Sequence, residues 1–325
     1  MNIIKFMNTK GKQNIIIFLA LVALIVIFTA LNPNFINRYN ILSMAQSLSP
    51  YAFLALGVTF VIATGGIDLS IGTVCIAAAV IAGKLYMSGM PLWMTIPVML
   101  IIGIIFGIAN GFMVAVLGLP PFIATLGTMM FARGVSALAV SVPNIFYPTG
   151  TWFNGVFSNY SGIPTGIFWV IGFMLICMYL MYKSKVGRYI LSIGSNEEAT
   201  RLSGINIVKY KILAYLFSGL GAGIAAIFWS ASFTTVASAT GNGMELDAIA
   251  GVYIGGTSAT GGVASVGGSI IGSVLLVVIR SGLNFVLAKF NLNLNATYVT
   301  YVLTGVIVIV AVLMDVIKNK KIKSN

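Results

Sequence analysis

The sequence contains no histidine, only two cysteines, and few charged residues, which make up 7% of the chain. Without histidine, the chain can form neither a histidine-ligated metal site nor a Ser-His catalytic pair. Cys75 and Cys177 both lie inside apolar runs and predict neither a disulfide nor a metal site. The patterns G-x4-G-K-[ST], H-E-x-x-H, G-x-S-x-G and C-x-x-C do not occur. The chain therefore lacks the P-loop that binds ATP, and an enzymatic function has little support.

Apolar residues are abundant instead, at 59% of the chain. Asn14–Leu31, for example, reads NIIIFLALVALIVIFTAL. A helix needs about 20 apolar residues to cross roughly 30 Å of hydrocarbon. The runs are continuous rather than alternating, which favours helices over barrel strands. The sequence predicts an all-α polytopic membrane protein.

The apolar runs predict about ten spans, enough to leave only short connections. We therefore expect one transmembrane domain over residues 1–325 and no separate soluble module. The even number of spans places both termini on one side of the membrane. The predicted spans are 14–31, 43–63, 69–87, 92–117, 121–141, 164–182, 209–233, 244–258, 266–288 and 296–315.

Basic residues outnumber acidic ones, 18 against 6, and they cluster near the two ends and in one internal connection. Cytoplasmic loops are enriched in Lys and Arg, so these clusters predict the cytoplasmic side. No aromatic residues interleave a basic patch, so nucleic-acid binding is not expected. The predicted cytoplasmic segments are the tails 1–13 and 316–325 and the connection 183–208.

The connection 183–208 contains signals for a short helix over about Asn196–Ser203. Ser195 followed by Glu198 fits a capping box, and Gly204 fits a C-terminal stop. From its shape alone, this helix could be a solvated loop helix or a docking element for a partner.

Two Gly-acid segments begin predicted spans: TGGIDLSIG at Thr64–Gly72 and GNGMELDAI at Gly241–Ile249. Their similar order is a weak sign of an inverted repeat, in which short helices meet near a transport path. The alternative is that both simply cap helices, and Asp68 is then expected to cap the N-terminus of the next helix.

The sequence also places small residues and charges inside spans. Gly103-x3-Gly107-x3-Gly111 predicts a close helix contact. Ionisable groups in spans usually face the interior of a bundle or a wet cavity, where they serve as ion pairs or as substrate contacts. The sequence leaves both roles open and assigns no pairs among the groups concerned, which are Arg133, Arg280, Glu245 and Asp247.

Four segments resemble the ribose-type permease family of bacterial ABC importers. They are GVTFVIATGGIDLSIG at 57–72, GLPPFIATLGTMMFARG at 118–134, GSNEEATRLSGINIVKYK at 194–211 and GGTSATGGVASVGGSIIGSVLLVVIRSGLN at 255–284. The resemblance implies a type II importer permease fold with ten helices, in the bacterial cell (inner) membrane. It favours ribose or a related pentose or hexose as substrate, although the wider superfamily includes permeases for nucleosides, autoinducer and branched-chain amino acids.

The resemblance also implies partners. These are a second permease subunit, either a copy or a paralogue, an external sugar-binding protein, and an ABC ATPase, usually with two fused nucleotide-binding modules. ATP and Mg²⁺ would be bound by that ATPase, and this chain itself would hold no cofactor. The alternative from another class is an ion-coupled secondary transporter using Asp68, Glu245 or Asp247. Against it, the acids lie at helix starts and the coupling segment would have no purpose.

Three sets of candidate residues follow. The set expected to couple to the ATPase is Gly194, Asn196, Glu197, Ala199, Arg201, Leu202 and Gly204. The set expected to form a structural joint is Gly65, Gly66, Asp68 and Gly72. A pathway for a neutral sugar should be polar but nearly uncharged, and its candidate residues are Phe60, Thr64, Ser70, Asn110 and Asn242.

Overall fold

The structure, a computed structural model, is a bundle of apolar helices. It describes residues 3–139, 144–237, 240–290, 298–306, 309, 310 and 313, with side chains from residue 15 onward. The helices are α1 (Ile3–Leu31), α2 (Arg38–Ala63), α3 (Ile71–Met87), α4 (Thr95–Ala115), α5 (Pro121–Leu138), α6 (Trp152–Phe157), α7 (Thr165–Tyr182), α8 (Lys185–Ser195), α9 (Glu197–Leu202), α10 (Ile207–Phe233), α11 (Met244–Ile254) and α12 (Val266–Lys289). Residues 298–306 are also helical.

Six helices in the described part of the chain are long and apolar enough to cross a membrane, and Ile15–Leu31 and Ile71–Met87 form shorter apolar helices. The polytopic membrane architecture predicted from the sequence is therefore confirmed. The count of about ten spans and the inverted repeat remain predictions. The expected tenth span, 296–315, lies partly outside the described residues.

Two predicted elements differ from the structure. The expected eighth span, 244–258, contains only α11, whose 11 residues extend about 16 Å and cannot cross a bilayer alone. The connection 183–208 contains α8 as well as the expected short helix. Ser184 caps α8, and the buried residues Gly187, Ile190 and Ile193 recur every third position, a pattern too short to stand out in the sequence.

Helix α2 lies at the centre of the bundle, and 78% of its most apolar window is buried. It packs against α10, α12, α11 and α7. A helix that is apolar on all sides can face either lipid or other helices, and here other helices surround it. Close approach to α10 depends on glycine, because a Cβ atom at Gly57 would lie 2.9 Å from the Phe217 carbonyl oxygen.

The glycine stripe on α4 lies against α10, as the spacing predicts. A Cβ atom at Gly107 would lie 2.5 Å from the Tyr215 carbonyl oxygen, and one at Gly219 would lie 2.8 Å from the Gly107 Cα atom. Backbone packs directly on backbone here, so larger side chains would push the two helices apart.

Two short strands, β1 (Ile145–Phe146) and β2 (Thr235–Val236), pair antiparallel at one end of the bundle, which we call the strand-pair end. The Tyr147 hydroxyl donates to the Ala79 carbonyl and ties the strand pair to α3. Helices α8 and α9 lie within the basic connection 183–208, and Gly194 near the end of α8 contacts Ala63, the last residue of α2.

Candidate functional site

The joint between α2 and α3 carries a buried carboxylate. Gly65 adopts a φ of +81°, which lets the chain turn directly after α2. Asp68 is only 1% exposed. Its Oδ1 accepts hydrogen bonds from the Ser70 amide at 2.9 Å and the Ser70 hydroxyl at 2.6 Å, and its Oδ2 accepts from the Ser218 hydroxyl at 2.7 Å. The carboxylate therefore joins the α2–α3 joint to α10.

A chain of hydrogen bonds extends this cluster to α4 and α5. The Asn110 Nδ2 donates to the Ser70 hydroxyl at 2.8 Å and lies 3.5 Å from Asp68 Oδ1. The Thr128 hydroxyl donates to Asn110 Oδ1 at 2.5 Å. All five residues of this Asp68 network (Asp68, Ser70, Asn110, Thr128 and Ser218) are buried. These hydrogen bonds thus connect the α2–α3 joint, α4, α5 and α10.

One expectation about this joint is wrong. Asp68 was expected to cap α3, but Ser70 occupies the N-cap position and makes no side-chain cap hydrogen bond. Asp68 instead accepts from the Ser70 amide, one residue before the helix begins, because its carboxylate faces α4 and α10. Its contacts are tertiary, and local capping rules could not identify them.

The residues proposed for the pathway do not meet at one place. Ser70 and Asn110 belong to the Asp68 network. Phe60 is fully buried and its ring packs against Phe217, with centroids 4.7 Å apart. Thr64 is half-buried and donates to the Val61 carbonyl at 2.7 Å. Asn242 is exposed and lies in a separate region, just before α11. Their role in solute passage remains a prediction.

Helix α9 lies on the surface and corresponds to the expected short helix. Its N-cap is Asn196, whose Oδ1 accepts from the Ala199 amide at 2.9 Å. The expected capping box is wrong, because Ser195 is the last residue of α8. Glu198 instead forms a 2.7 Å ion pair with Arg201 and raises the pKa of that guanidinium above its ordinary value. Gly204, with a φ of +76°, follows the helix in the left-handed conformation that suits glycine.

The outer side of α9 offers a partner both charge and an apolar anchor. Leu202 is 79% exposed, and Thr200 is the buried residue of the helix. Lys211 pairs with Glu197 at 2.7 Å and holds α9 beside α10. Exposed ion pairs contribute little stability, and an exposed leucine buries little apolar area, so this surface contributes little to holding the fold together.

Three glycine-containing segments meet just before α9, at a contact we call the glycine junction. The Gly262 amide donates to the Ala63 carbonyl at 3.0 Å. A Cβ atom at Gly194 would overlap both of these groups. A Cβ atom at Gly261 would lie 2.7 Å from the Gly65 amide nitrogen. The end of α8 therefore contacts the α2–α3 joint and the α11–α12 connection through backbone atoms, with no flexible side chain between them.

Of four charged residues that the sequence places inside spans, two form an ion pair in the described part of the chain and two do not. Arg280 forms an ion pair with Asp247 and donates to the Tyr51 hydroxyl at 2.7 Å. The Thr304 hydroxyl contacts Asp247 at 3.4 Å. These contacts identify Arg280 and Asp247 as partners, which the sequence could not do. Glu245 and Arg133 form no such pair among the described ion pairs.

Comparisons with known proteins match nearly the whole chain. Residues 40–312 match the family described as branched-chain amino acid transport system / permease component. The ribose import permease protein RbsC of Haemophilus influenzae is 34% identical over 303 residues, which cover 92% of this chain and 91% of that protein. RbsC of Escherichia coli K12 is 34% identical over 316 residues, covering 93% and 92%.

A fructose permease is similarly close. The fructose import permease protein FruF of Bifidobacterium longum is 34% identical over 292 residues, covering 88% of this chain and 80% of that protein. No solved structure matches significantly.

Proposed function

Because this chain belongs to the family of branched-chain amino acid transport system / permease components, we propose that it is the membrane permease subunit of an ATP-driven monosaccharide importer. The observation that carries the proposal is 34% identity with ribose import permeases over more than nine-tenths of both chains. Ribose is the first candidate substrate, and fructose the second, because a fructose import permease is 34% identical over 88% of this chain.

The chain's part in transport would be passive. ATP and Mg²⁺ would be bound by a separate ATPase subunit, usually one with two fused modules, and sugar would be delivered by an external binding protein. A second permease subunit would complete the pathway. We place both termini, α8 and α9 in the cytoplasm of a bacterial cell and the strand-pair end outside, because basic connections favour the cytoplasmic side.

Helix α9 would transmit the work of the ATPase. Nucleotide binding would close the ATPase modules and move α9 with them. The glycine junction would pass this movement to the α2–α3 joint and the α11–α12 connection, since backbone atoms in direct contact cannot move independently. The packed helices would then switch between outward-facing and inward-facing states.

An ion-coupled secondary transporter that uses Asp68 or Asp247 is less well supported, whereas Glu245, whose Oε2 has no hydrogen-bond partner, leaves that alternative to the uptake experiment. Asp68 accepts three hydrogen bonds shorter than 3 Å, and Asp247 is paired with Arg280, so neither carboxylate is free to bind a coupling ion. An ion-binding acid should change partners during the cycle, whereas these two are held by several elements of the fold.

The test is uptake of radiolabelled ribose, and separately fructose, into proteoliposomes that contain the permease, its ATPase and the binding protein. We expect uptake that requires ATP and persists when an uncoupler dissipates ion gradients. Uptake without the ATPase that collapses with the uncoupler would refute the importer. ATP-driven uptake of fructose but not ribose would change the substrate alone.

A further inference from the structure

Among the residues that the structure describes, two charged side chains inside the bundle have buried polar atoms without a hydrogen-bond partner. They are Glu245, through Oε2, and Arg133, through Nε. Glu245 is 7% exposed. Arg133 is on α5, which packs against α3, and Glu245 lies against Gly72 at the start of α3, yet no direct ion pair joins the two charges. An acceptor and a donor are thus both buried in the same region without satisfying each other, which is costly in a low-dielectric interior.

The surroundings of Glu245 are the starts of two short helices. Helix α3 begins at Ile71 and α11 at Met244. A Cβ atom at Gly72 would lie 2.9 Å from the Glu245 amide nitrogen and would overlap Glu245 Oε2. The two Gly-acid segments noted in the sequence therefore meet here. Helix N-termini carry partial positive charge, which offsets part of the cost of burying the Glu245 carboxylate. Short helices whose N-termini converge on a substrate are a recurring arrangement in transporters.

We propose that Glu245 and Arg133 form a hydroxyl-binding site for the monosaccharide on its way through the permease. A sugar hydroxyl both donates and accepts, so neighbouring hydroxyls of one sugar can satisfy Glu245 Oε2 and Arg133 Nε together. The pair carries no net charge, which suits a neutral polyol and disfavours a charged solute. The site rests on the proposed function and differs from the nearly uncharged pathway expected from the sequence.

The matched control is on the same helix. Asp247 lies two residues from Glu245 but is already paired with Arg280. We therefore expect Asp247→Asn to lower the melting temperature without changing which hydroxyls are recognised. Glu245→Gln and Arg133→Lys should change recognition, since Gln keeps the shape of Glu245 and Lys keeps the charge of Arg133 while both alter the hydrogen-bonding atoms.

The experiment measures ATP-driven uptake of ribose and its monodeoxy analogues by the complete reconstituted transporter, at concentrations that saturate the binding protein. We expect the wild type to carry at least one analogue about tenfold more slowly than ribose, the effect of one hydrogen bond to a charged group. In Glu245→Gln or Arg133→Lys, ribose uptake should fall to the rate of that analogue. The ratio of the ribose rate to the analogue rate, measured in the same variant, should therefore approach one.

Several outcomes would overturn the site. One is a wild type that carries every analogue at the rate of ribose, a result that needs no variant to fold. Another is a set of variants that assemble and keep the wild-type ratios. A third is loss of uptake in Glu245→Gln that is restored by Arg133→Gln, because that would identify a direct ion pair. If the wild type shows no ATP-driven sugar uptake, the proposed function itself fails.

Discussion

Replacing Asp68 tests whether the α2–α3 joint is held by its hydrogen bonds. Asp68→Leu removes the acceptor for the Ser70 amide and for the Ser70 and Ser218 hydroxyls, and it leaves Asn110 with one contact fewer. Asp68→Asn keeps a carbonyl oxygen that can still accept both bonds from Ser70. Its amide nitrogen can donate to the Ser218 hydroxyl in place of accepting from it.

The two substitutions should differ widely in cost. A buried donor without a partner costs about 1–3 kcal/mol. Asp68→Leu removes the acceptor of three donors; because a hydroxyl can rotate and an amide cannot, we count the Ser70 amide in full and each hydroxyl as about half, which gives about two stranded donors or about 4 kcal/mol. Asp68→Asn loses mainly the charge assistance of its hydrogen bonds, about 1 kcal/mol. The difference of about 3 kcal/mol corresponds to roughly a hundredfold change in the folded-to-unfolded ratio.

The assay is the amount of monodisperse protein after detergent extraction, together with its melting temperature. We expect Asp68→Leu to yield far less assembled protein than Asp68→Asn. Ser218→Ala should destabilise the wild type but have little further effect beside Asp68→Leu, because its partner is already gone. Equal assembly of the Leu and Asn variants would refute the network argument. Normal assembly with equal loss of transport would instead show that the charge is needed and would revive ion coupling.

Further predictions concern coupling and accessibility. Gly194→Ala should lower the amount of sugar taken up per ATP hydrolysed. Gly172→Ala is the control, because an added Cβ there meets nothing within 4 Å, and it should leave this ratio unchanged. The same ratio in both variants would exclude the glycine junction from coupling. Asn196→Ala should remove about 1 kcal/mol of capping and speed amide exchange in α9, with Asn196→Ser restoring protection; unchanged exchange would contradict the observed cap. Leu202→Asp should weaken pull-down of the ATPase while Leu202→Met keeps it, and retention by both would make α9 a simple surface helix. In a chain without native cysteines, Thr64→Cys should react with a water-soluble thiol reagent in at least one nucleotide state, and protection in all states would place it away from the pathway.

The short helix before Gly204 shows how far local signals reach. Capping residues, a run of helix formers and a glycine stop lie within ten residues of each other, so the sequence predicts α9 closely. The cap itself was misassigned by one position, because Ser195 completes α8 and only Asn196 is free to leave the helical conformation. That choice depends on where α8 ends, which its packing against the bundle decides.

The sequence by itself determined the apolar helices, because a chain in lipid must satisfy its backbone within each helix, and this is a local requirement. It also determined that Gly103 and Gly107 lie at a close helix contact. The tertiary structure alone decided that the contact is with Gly219 on α10, that Asp247 pairs with Arg280, and that Glu245 lies against Gly72. The physical reason is that the partner of a buried polar or small residue depends on which helices pack together. That choice minimises unsatisfied groups and gaps over the whole bundle rather than within any one segment.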